Sequence, residues 1–519
     1  MTSGIRAAVL AASVLAGATL ELRGQSPGAV VDTIAEARRL RDAGQYGAAA
    51  AILGPYVAGH PDDPGTARLA ALMSYWSKDL AAARATYERA LERHPDDADL
   101  RAEFGKFLVD LREAARAREV LTPLVETGPR LRPASGRALT LLGTLDYWRG
   151  DYARARNHFI ESLSVDPTDA DARRQLREIE MASASWVRVA GVGWHDDQPL
   201  DHTAFEAEGG WFASPVTPLS VRVGSTQFAH DGVTETVTRA DAGVATFFPG
   251  PRLDVSLGGG VVDRTFGDAS DWTARASLGV RLPGNVALEG RFERAPYLST
   301  AASLATSVMT HTLDATLRLR AASGWVGDAT ARRETFDDDN AVTTGYVWLF
   351  APVVRGAGGQ LQVGYSFAAQ SATYSRFVPR DDALTVPPRP GPAAVPGIYD
   401  PYYTPRNLRV HSGLLSATVR PTPRWSIAGN GSGGVHARAD APVLAVVSRP
   451  PNVDIVRDYV AREFTPWNVR GALEGSVTDA VRLALTAEHG KGPYYVYTTA
   501  GVCITYTFVA AARRRADRY

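Results

Sequence analysis

The spacing of apolar positions along the chain changes once, abruptly, after Ser183. Before that point apolar residues recur at helical spacing. After it they alternate with polar residues at period two, the mark of strands that present one apolar face. Trp272, Ala274, Ala276, Leu278 and Val280 alternate with Thr273, Arg275, Ser277, Gly279 and Arg281, and Val481, Leu483 and Leu485 with Arg482, Ala484 and Thr486. About sixteen such segments fall near 186–194, 204–213, 218–229, 237–248, 252–262, 271–282, 285–294, 308–320, 324–334, 341–351, 359–370, 408–420, 424–437, 463–478, 480–489 and 495–508. Strands of ~9–13 residues at this spacing match a transmembrane barrel.

Within the helical part, four segments end alike, at Pro61, Pro95, Pro129 and Pro167, spaced 34, 34 and 38 residues. Before each lies a hairpin turn: Gly44-Gln45-Tyr46, Lys78-Asp79-Leu80, Arg112-Glu113-Ala114 and Gly150-Asp151-Tyr152. A small residue follows each turn (Ala49, Ala83, Ala117, Ala155), and four positions later a larger one (Leu53, Tyr87, Leu121, Phe159). This resembles the tetratricopeptide repeat. The small Ala lets two antiparallel helices approach, the larger residue fills the gap toward the next repeat, and the proline stops the second helix. The last repeat carries four extra residues, Leu131–Ala134, before its first helix, and Ala170 to Met181 reads as a polar capping helix. Such a solenoid offers a groove to a partner or merely braces the next domain.

Connections in the strand region alternate. After even-numbered strands they are mostly tight, as at Pro249-Gly250-Pro251 and Pro283-Gly284; after odd-numbered strands they are mostly longer and polar, reaching 371–407 and 438–462. Short periplasmic turns and long outer loops explain that rhythm, and a soluble β-sandwich gives no reason for it. Both chain ends then fall on the periplasmic side. Trp186, Trp194, Trp211, Trp348 and Trp467 lie near strand ends, where interfacial girdles are expected. Strand 408–420 changes phase near Gly413, the sign of a bulge, and the glycines at 258–260 and 429–434 suit bends in a barrel wall.

The N-terminus reads as an export signal: Arg6, an apolar run from Ala7 to Leu20, and a small-residue Ala16-Gly17-Ala18 site. The expected organisation is a signal peptide at 1–25, repeats at 30–181, a barrel at 186–508 and a basic tail at 509–519 with Arg513-Arg514-Arg515. Composition alone points elsewhere. Lys+Arg and Asp+Glu both total 56 among 519 residues, and mean hydropathy is −0.14. That balance excludes a polybasic nucleic-acid binder and a polytopic helical membrane protein. One-sided strands reverse the apparent solubility, because the average conceals a lipid face and a water face. The single cysteine, Cys503, excludes a disulfide framework.

The polar, lumen-facing set comprises Arg222, Arg252, Arg275, Arg281, Arg291, Arg318, Arg332, Arg470 and Arg482 with Glu206, Glu208, Asp254, Glu289, Glu293, Asp314, Glu474 and Glu488. It reads as a charged conduit or as an internal ion-pair network that stiffens or fills the barrel. No catalytic, cofactor or metal residues are assigned: there is no nucleophile motif, and His195-Asp196-Asp197 and Asp337–Asn340 lack the register of a calcium loop. Loop 379–406, rich in proline, reads as a lid over the mouth, a display of Tyr399, Tyr402 and Tyr403 to glycans, or a plain surface loop.

The fold class expected is multidomain α + β, an N-terminal all-α tetratricopeptide solenoid followed by a C-terminal antiparallel transmembrane β-barrel. That order resembles exopolysaccharide export porins of the cellulose or poly-N-acetylglucosamine type, the YaiO-like outer-membrane barrel family, and the surface lipoprotein assembly modifier. The last strand, ending Ile504-Thr505-Tyr506-Thr507-Phe508, resembles the signal read by the barrel-assembly machinery, with the tail as a departure. The first resemblance implies a non-enzymatic outer-membrane conduit with periplasmic repeats that recruit a protein partner. Its surroundings would be outer-membrane lipid and a polysaccharide in the lumen, with no nucleic acid. The other two imply an anchored, non-conducting scaffold.

Overall fold

The computed structural model describes residues 27–126, 133–197, 200–230, 232–265, 270–380, 393–449 and 452–519. The expected signal peptide and Pro129 lie outside the described residues. Two compact units divide the chain at Leu142/Gly143. That division falls inside the fourth repeat, within the helix Pro133–Arg149.

The first unit contains α1 (Pro27–Asp42), α2 (Tyr46–Gly59), α3 (Pro64–Trp76), α4 (Leu80–Arg93), α5 (Ala98–Asp110), α6 (Ala114–Glu126) and the start of α7 (Pro133–Arg149). Pro133 and Ala134, expected before the helix, open it. Each repeat boundary is a stop followed by a start. α2 and α4 end just before Pro61 and Pro95, and Asp63 and Asp97 two residues later cap the next helix by accepting from Thr66 N and Leu100 N at 3.1 and 2.8 Å. Between the helices of each hairpin the chain turns through one left-handed residue, Gly44, Lys78 or Arg112. Ala49, Ala83 and Ala117 are fully buried, and so are Leu53, Tyr87 and Leu121. The larger residues serve two purposes. Tyr87 stacks on Phe104 of the next repeat at 5.4 Å, whereas Leu121 packs onto Gly105 of its own hairpin.

The second unit begins with the rest of α7, then α8 (Tyr152–Val165) and α9 (Ala170–Ala182). It repeats the same devices: left-handed Gly150, cap Asp151, buried Ala155, and Phe159 seated on Gly143, where a Cβ would stand 2.6 Å from the ring.

The barrel wall follows as β1 (Trp186–Asp196), β2 (Asp201–Ser214), β3 (Thr217–His230), β4 (Val233–Phe248), β5 (Leu253–Arg264), β6 (Ser270–Leu282), β7 (Val286–Pro296) and β8 (Met309–Arg320). It continues with β9 (Val326–Phe336), β10 (Ala341–Gly356) and β11 (Gly359–Ala372). The next connection holds three short strands, β12 (Phe377–Pro379), β13 (Ala393–Val395) and β14 (Gly397–Tyr399). Then come β15 (Leu408–Thr422), β16 (Trp425–Arg449), β17 (Asn452–Glu463), β18 (Trp467–Ser476), β19 (Val481–Lys491) and β20 (Val496–Thr507). All pairings are antiparallel, and β1 pairs with β20 from Trp186↔Thr507 to Asp196↔Tyr497, so the described strands close into a ring of sixteen, in which β16 pairs with β18 and β17 is held only by the second half of β16. Among the described residues no helix is long and apolar enough to cross a membrane.

Two segments differ from the sequence-based reading. The stretch 438–462 is not a loop: the second half of β16 pairs with β17 and extends the wall as a hairpin. The phase change assigned to Gly413 sits on the partner strand, where His411↔His436 and Ser412↔Gly434 leave Val435 as an extra residue in β16. The C-terminal tail is also structured, as α11 (Val509–Ala516), with Val509, Ala512 and Ala516 buried and α9 as its packing partner. Glu180 of α9, with its side chain only 3% exposed, accepts from Arg156 Nε at 2.6 Å and from Arg515 Nε at 2.7 Å. Arg513 pairs with Asp479 at 3.1 Å and Arg177 with Asp517 at 3.2 Å.

Two outcomes are expected. Gly105→Ala forces Leu121 off its seat and destabilises the repeats by about 1–3 kcal/mol despite the better helix propensity of Ala; Leu121→Ala in the same chain relieves most of the overlap. Denaturant unfolding of the single and double variants measures that coupling, and additive losses would refute the contact. Glu180→Ala leaves two partly exposed guanidinium groups without their carboxylate, a loss of roughly 1.5–3 kcal/mol. Trypsin should then cut at Arg513–Arg515 at least tenfold faster, read by mass spectrometry of the released C-terminus.

Candidate functional site

Register through a closed antiparallel wall fixes which side chains share a face, because facing residues across every pair point the same way. Val187, Val189, Phe205, Trp211, Val221, Val223, Leu257 and Val261 share one face and are all exposed. An exposed apolar band around a closed barrel is the surface of a membrane-spanning wall. The opposite face lines the lumen. Arg188, Glu208, Arg222 and Asp241 stand in line across β1 to β4 on that inner face.

The lumen-facing set named from sequence lies on this inner register, with one correction. Arg252 is in the β4–β5 turn at φ 54°, off the wall. Most of the others form ladders. Arg222 lies 3.6 Å from Glu206 and 3.5 Å from Asp241, Arg275 lies 3.9 Å from Asp241, and Arg281 holds Asp254 at 2.8 Å. Glu289 is shared by Arg291 and Arg318 at 3.0 and 3.3 Å, and Arg332 grips Asp314 at 2.6 Å. Glu293 faces Arg275 across the β6–β7 ladder. Farther round, Arg470 faces Glu488, which accepts from Asn468 at 3.0 Å and from the Tyr497 hydroxyl at 2.6 Å. Arg470 and Arg482 make no ion pair among the described residues. At Gly258 a Cβ would stand 2.7 Å from Arg275 Nε, across the ladder.

The tryptophans also divide by register. Trp211 and Trp467 are on the outer face, whereas Trp186, Trp194 and Trp348, expected in interfacial girdles, face the lumen. Trp194 stacks on Tyr497 at 4.7 Å. Tyr346, Trp348 and Phe350 line up on the inner face of β10, opposite Thr330, Asp328 and Val326. Trp348 and Phe350 pack edge to face at 5.7 Å, and the Arg320 guanidinium lies 5.5 Å from the Trp348 ring centre. A recess of about 480 Å³ opens beside them, bounded by Trp348, Arg320, Asn285, Gln360 and Gln362. The signal was present in the sequence as three aromatics two residues apart. It was missed because neighbouring Val347 and Leu349 make β10 apolar on both faces.

The mouth that carries the long loops is packed. The β7–β8 connection forms α10 (Ala301–Thr306), whose Leu304 is fully buried against Leu200 and the inward-facing Phe228, Val237 and Val262. The proline-rich connection folds the same way: Tyr402, 1% exposed, stacks on inward-facing Phe336 with ring centres 3.6 Å apart. Its hydroxyl donates to Asp338 at 2.6 Å, and Asp338 also pairs with Arg376. Thr300 donates to Pro401 O at 2.6 Å, which joins the two loops, and Arg457 of the β17 hairpin donates to Phe377 O. Tyr403 packs 4.9 Å from Tyr399 and 5.2 Å from Tyr494. Burial pushes the Tyr297 phenol up to about 12 and raises those of Tyr399 and Tyr403 as well. Tyr402 is buried and Tyr399 and Tyr403 are partly buried in this loop packing, so the three do not form the open glycan display read from the sequence. The acidic loop residues are engaged by neighbours too: His195 contacts Asp201, and Trp194 Nε1 donates to Asp196 at 3.2 Å. Residues 381–392 lie outside the described residues.

At the opposite mouth the α7–α8 turn meets the wall. Gly150 and Tyr152 bound a recess with Phe247, Asp254 and Arg281, and Arg281 lies 4.5 Å from the Phe247 ring centre.

Residues 77–142 match the tetratricopeptide repeat family model. No curated protein matches the chain. Among solved structures, one titled bacterial polysaccharide outer membrane secretin is 14% identical with a TM-score of 0.44, over 63% of this chain and 99% of that one. CdiB from Acinetobacter baumannii is 9% identical with a TM-score of 0.35, over 62% of this chain and 60% of its own. MamA from Desulfovibrio magneticus RS-1 is 17% identical with a TM-score of 0.26, over 29% of this chain and 82% of its own. The chain carries tetratricopeptide repeats ahead of a sixteen-stranded β-barrel of outer-membrane type.

Tyr402→Ala removes the ring that fills the cap and is expected to weaken the loop packing by about 3–5 kcal/mol. Hydrogen exchange at 393–407 should accelerate by at least tenfold while the wall strands stay protected. Unchanged exchange would show that Tyr402 does not hold the loop.

Proposed function

We propose that this chain is an outer-membrane conduit for a linear polysaccharide, made as an exported precursor and carrying its repeats in the periplasm to recruit a partner protein. The observation that carries the polymer class is the inner face of β10, where Tyr346, Trp348 and Phe350 stand in one line beside a recess edged by Arg320, Asn285 and two glutamines. A sugar ring has apolar C–H faces and hydroxyl edges. Aromatic faces suit the first; guanidinium and amide groups suit the second. A sixteen-stranded barrel is wide enough for an aqueous path, and the ion-paired wall presents both signs without favouring small anions. Transport of this kind needs no covalent chemistry, so no enzymatic role is assigned.

The second reading, a non-conducting membrane-anchored scaffold, is favoured by the packed loop mouth, where Leu304 and Tyr402 are both buried. Planar-bilayer recordings separate the two. The intact protein should show little current, and deletion of 379–406, which removes Tyr402 with the loop, should open steps of stable conductance. A linear β-linked glucose or N-acetylglucosamine oligosaccharide should then block the current, and Trp348→Ala should weaken that block roughly tenfold, the equivalent of about 1.4 kcal/mol. No conductance in the opened variant would leave the scaffold reading; conductance without block would overturn the polymer assignment.

A further inference from the structure

On the outer wall, at the rim where the long loops begin, four basic side chains meet. Arg409 faces Arg438 and His411 faces His436, each directly across the β15–β16 ladder. Their orientation depends on the extra residue Val435. Gly434 pairs with inward-facing Ser412, so without the bulge His436 and Arg438 would point into the lumen; with it they join His411 and Arg409 outside. Arg409, His436 and Arg438 are exposed.

Like charges directly across a strand pair are destabilising, and more so on a surface that faces lipid. Here two guanidinium groups are set opposite one another, and neither has an ion pair among the described residues. Glu463, opposite Arg438 on β17, makes no ion pair with it either. The remaining neighbours suit an amphiphile. Tyr365 lies 2.5 Å from His411 Nδ1, and the Phe367 ring centre lies 4.8 Å from that of His411. Farther along the same strands and on the same face, Val363 and Leu415 are exposed apolar residues, and Trp467 marks the interface nearby.

We infer that this patch binds the phosphate of an anionic membrane lipid, with the headgroup held by Arg409, Arg438 and the two histidines and an acyl chain lying along Val363 and Leu415. Guanidinium pairs bind phosphate oxygens by paired charge-assisted hydrogen bonds, and the anion removes the repulsion the bulge creates. The inference is independent of what passes through the lumen.

The test compares the full chain with Arg409→Gln/Arg438→Gln in a neutral maltoside detergent, with folding checked by heat-modifiable migration. Three probes are added separately: dioleoyl phosphatidylglycerol, dioleoyl phosphatidylcholine and inorganic phosphate. Native mass spectrometry should show phosphatidylglycerol adducts on the wild type that fall at least tenfold in the double variant, with Arg333→Gln on β9 as an unaffected outer-wall control. In detergent alone the double variant should melt at or above the wild-type temperature, and phosphatidylglycerol should reverse that order. Equal stabilisation by inorganic phosphate would reassign the patch to a soluble anion and overturn the lipid. Equal adducts in both proteins, or equal effects of phosphatidylcholine, would overturn the headgroup assignment.

Discussion

Everything in the barrel depends on closure between β1 and β20. A wall in lipid has no water to satisfy an open strand edge, so every backbone N–H and C=O must find a partner strand. The first and last strands supply that pairing along their full length, from Trp186↔Thr507 to Asp196↔Tyr497. Closure then imposes one parity around sixteen strands. Outer positions can be apolar only if inner positions absorb the polar residues, and this is why the arginines and carboxylates gather in the lumen as ladders. A one-residue break in that parity, at Val435, returns basic residues to the outer wall. The last helical hairpin and α11 flank the same seam in sequence. Glu180 joins them through Arg156 and Arg515, so the ends of the closing strands are tied on one side as well as paired.

The two mouths of the barrel are built differently. At the tight-turn end the wall stops at short connections, and the α7–α8 turn lies against Phe247. At the loop end the connections fold inward, because they carry apolar residues that would otherwise face water: Leu304, Tyr402 and Tyr403. Their packing onto Phe228, Val262 and Phe336 buries those groups, and a small number of polar contacts, chiefly Asp338 with Tyr402 and Arg376, fixes the loops to one another.

Much of this organisation was legible in the chain. The repeats were visible because a helical hairpin needs a small residue at its close approach, a larger one beside it and a stop after it. Those requirements recur from Ala49 to Pro167 at spacings of 34, 34 and 38 residues. The strands were visible because a wall between lipid and water alternates strictly. The candidate site was less so. Arg252 looked like a wall residue because it continues the alternation of β5, but the turn ends one residue later than the pattern suggests. Trp348 looked interfacial because it lies in a strand apolar on both faces, where alternation carries no information about direction.

The sequence by itself determined the repeat hairpins, the strand count and the alternation of tight and long connections, because these follow from periods of a few residues that local geometry enforces. Only the tertiary structure decided which way β10, apolar on both faces, turned its aromatics, how the loops packed across the mouth, and that the basic tail is a helix held by a buried glutamate. Those outcomes depend on contacts between residues far apart in the chain, such as Glu180 with Arg515 and Thr300 with Pro401, and on a one-residue bulge whose effect exists only in a paired strand. No local period records a register, and register is what separates lumen from lipid.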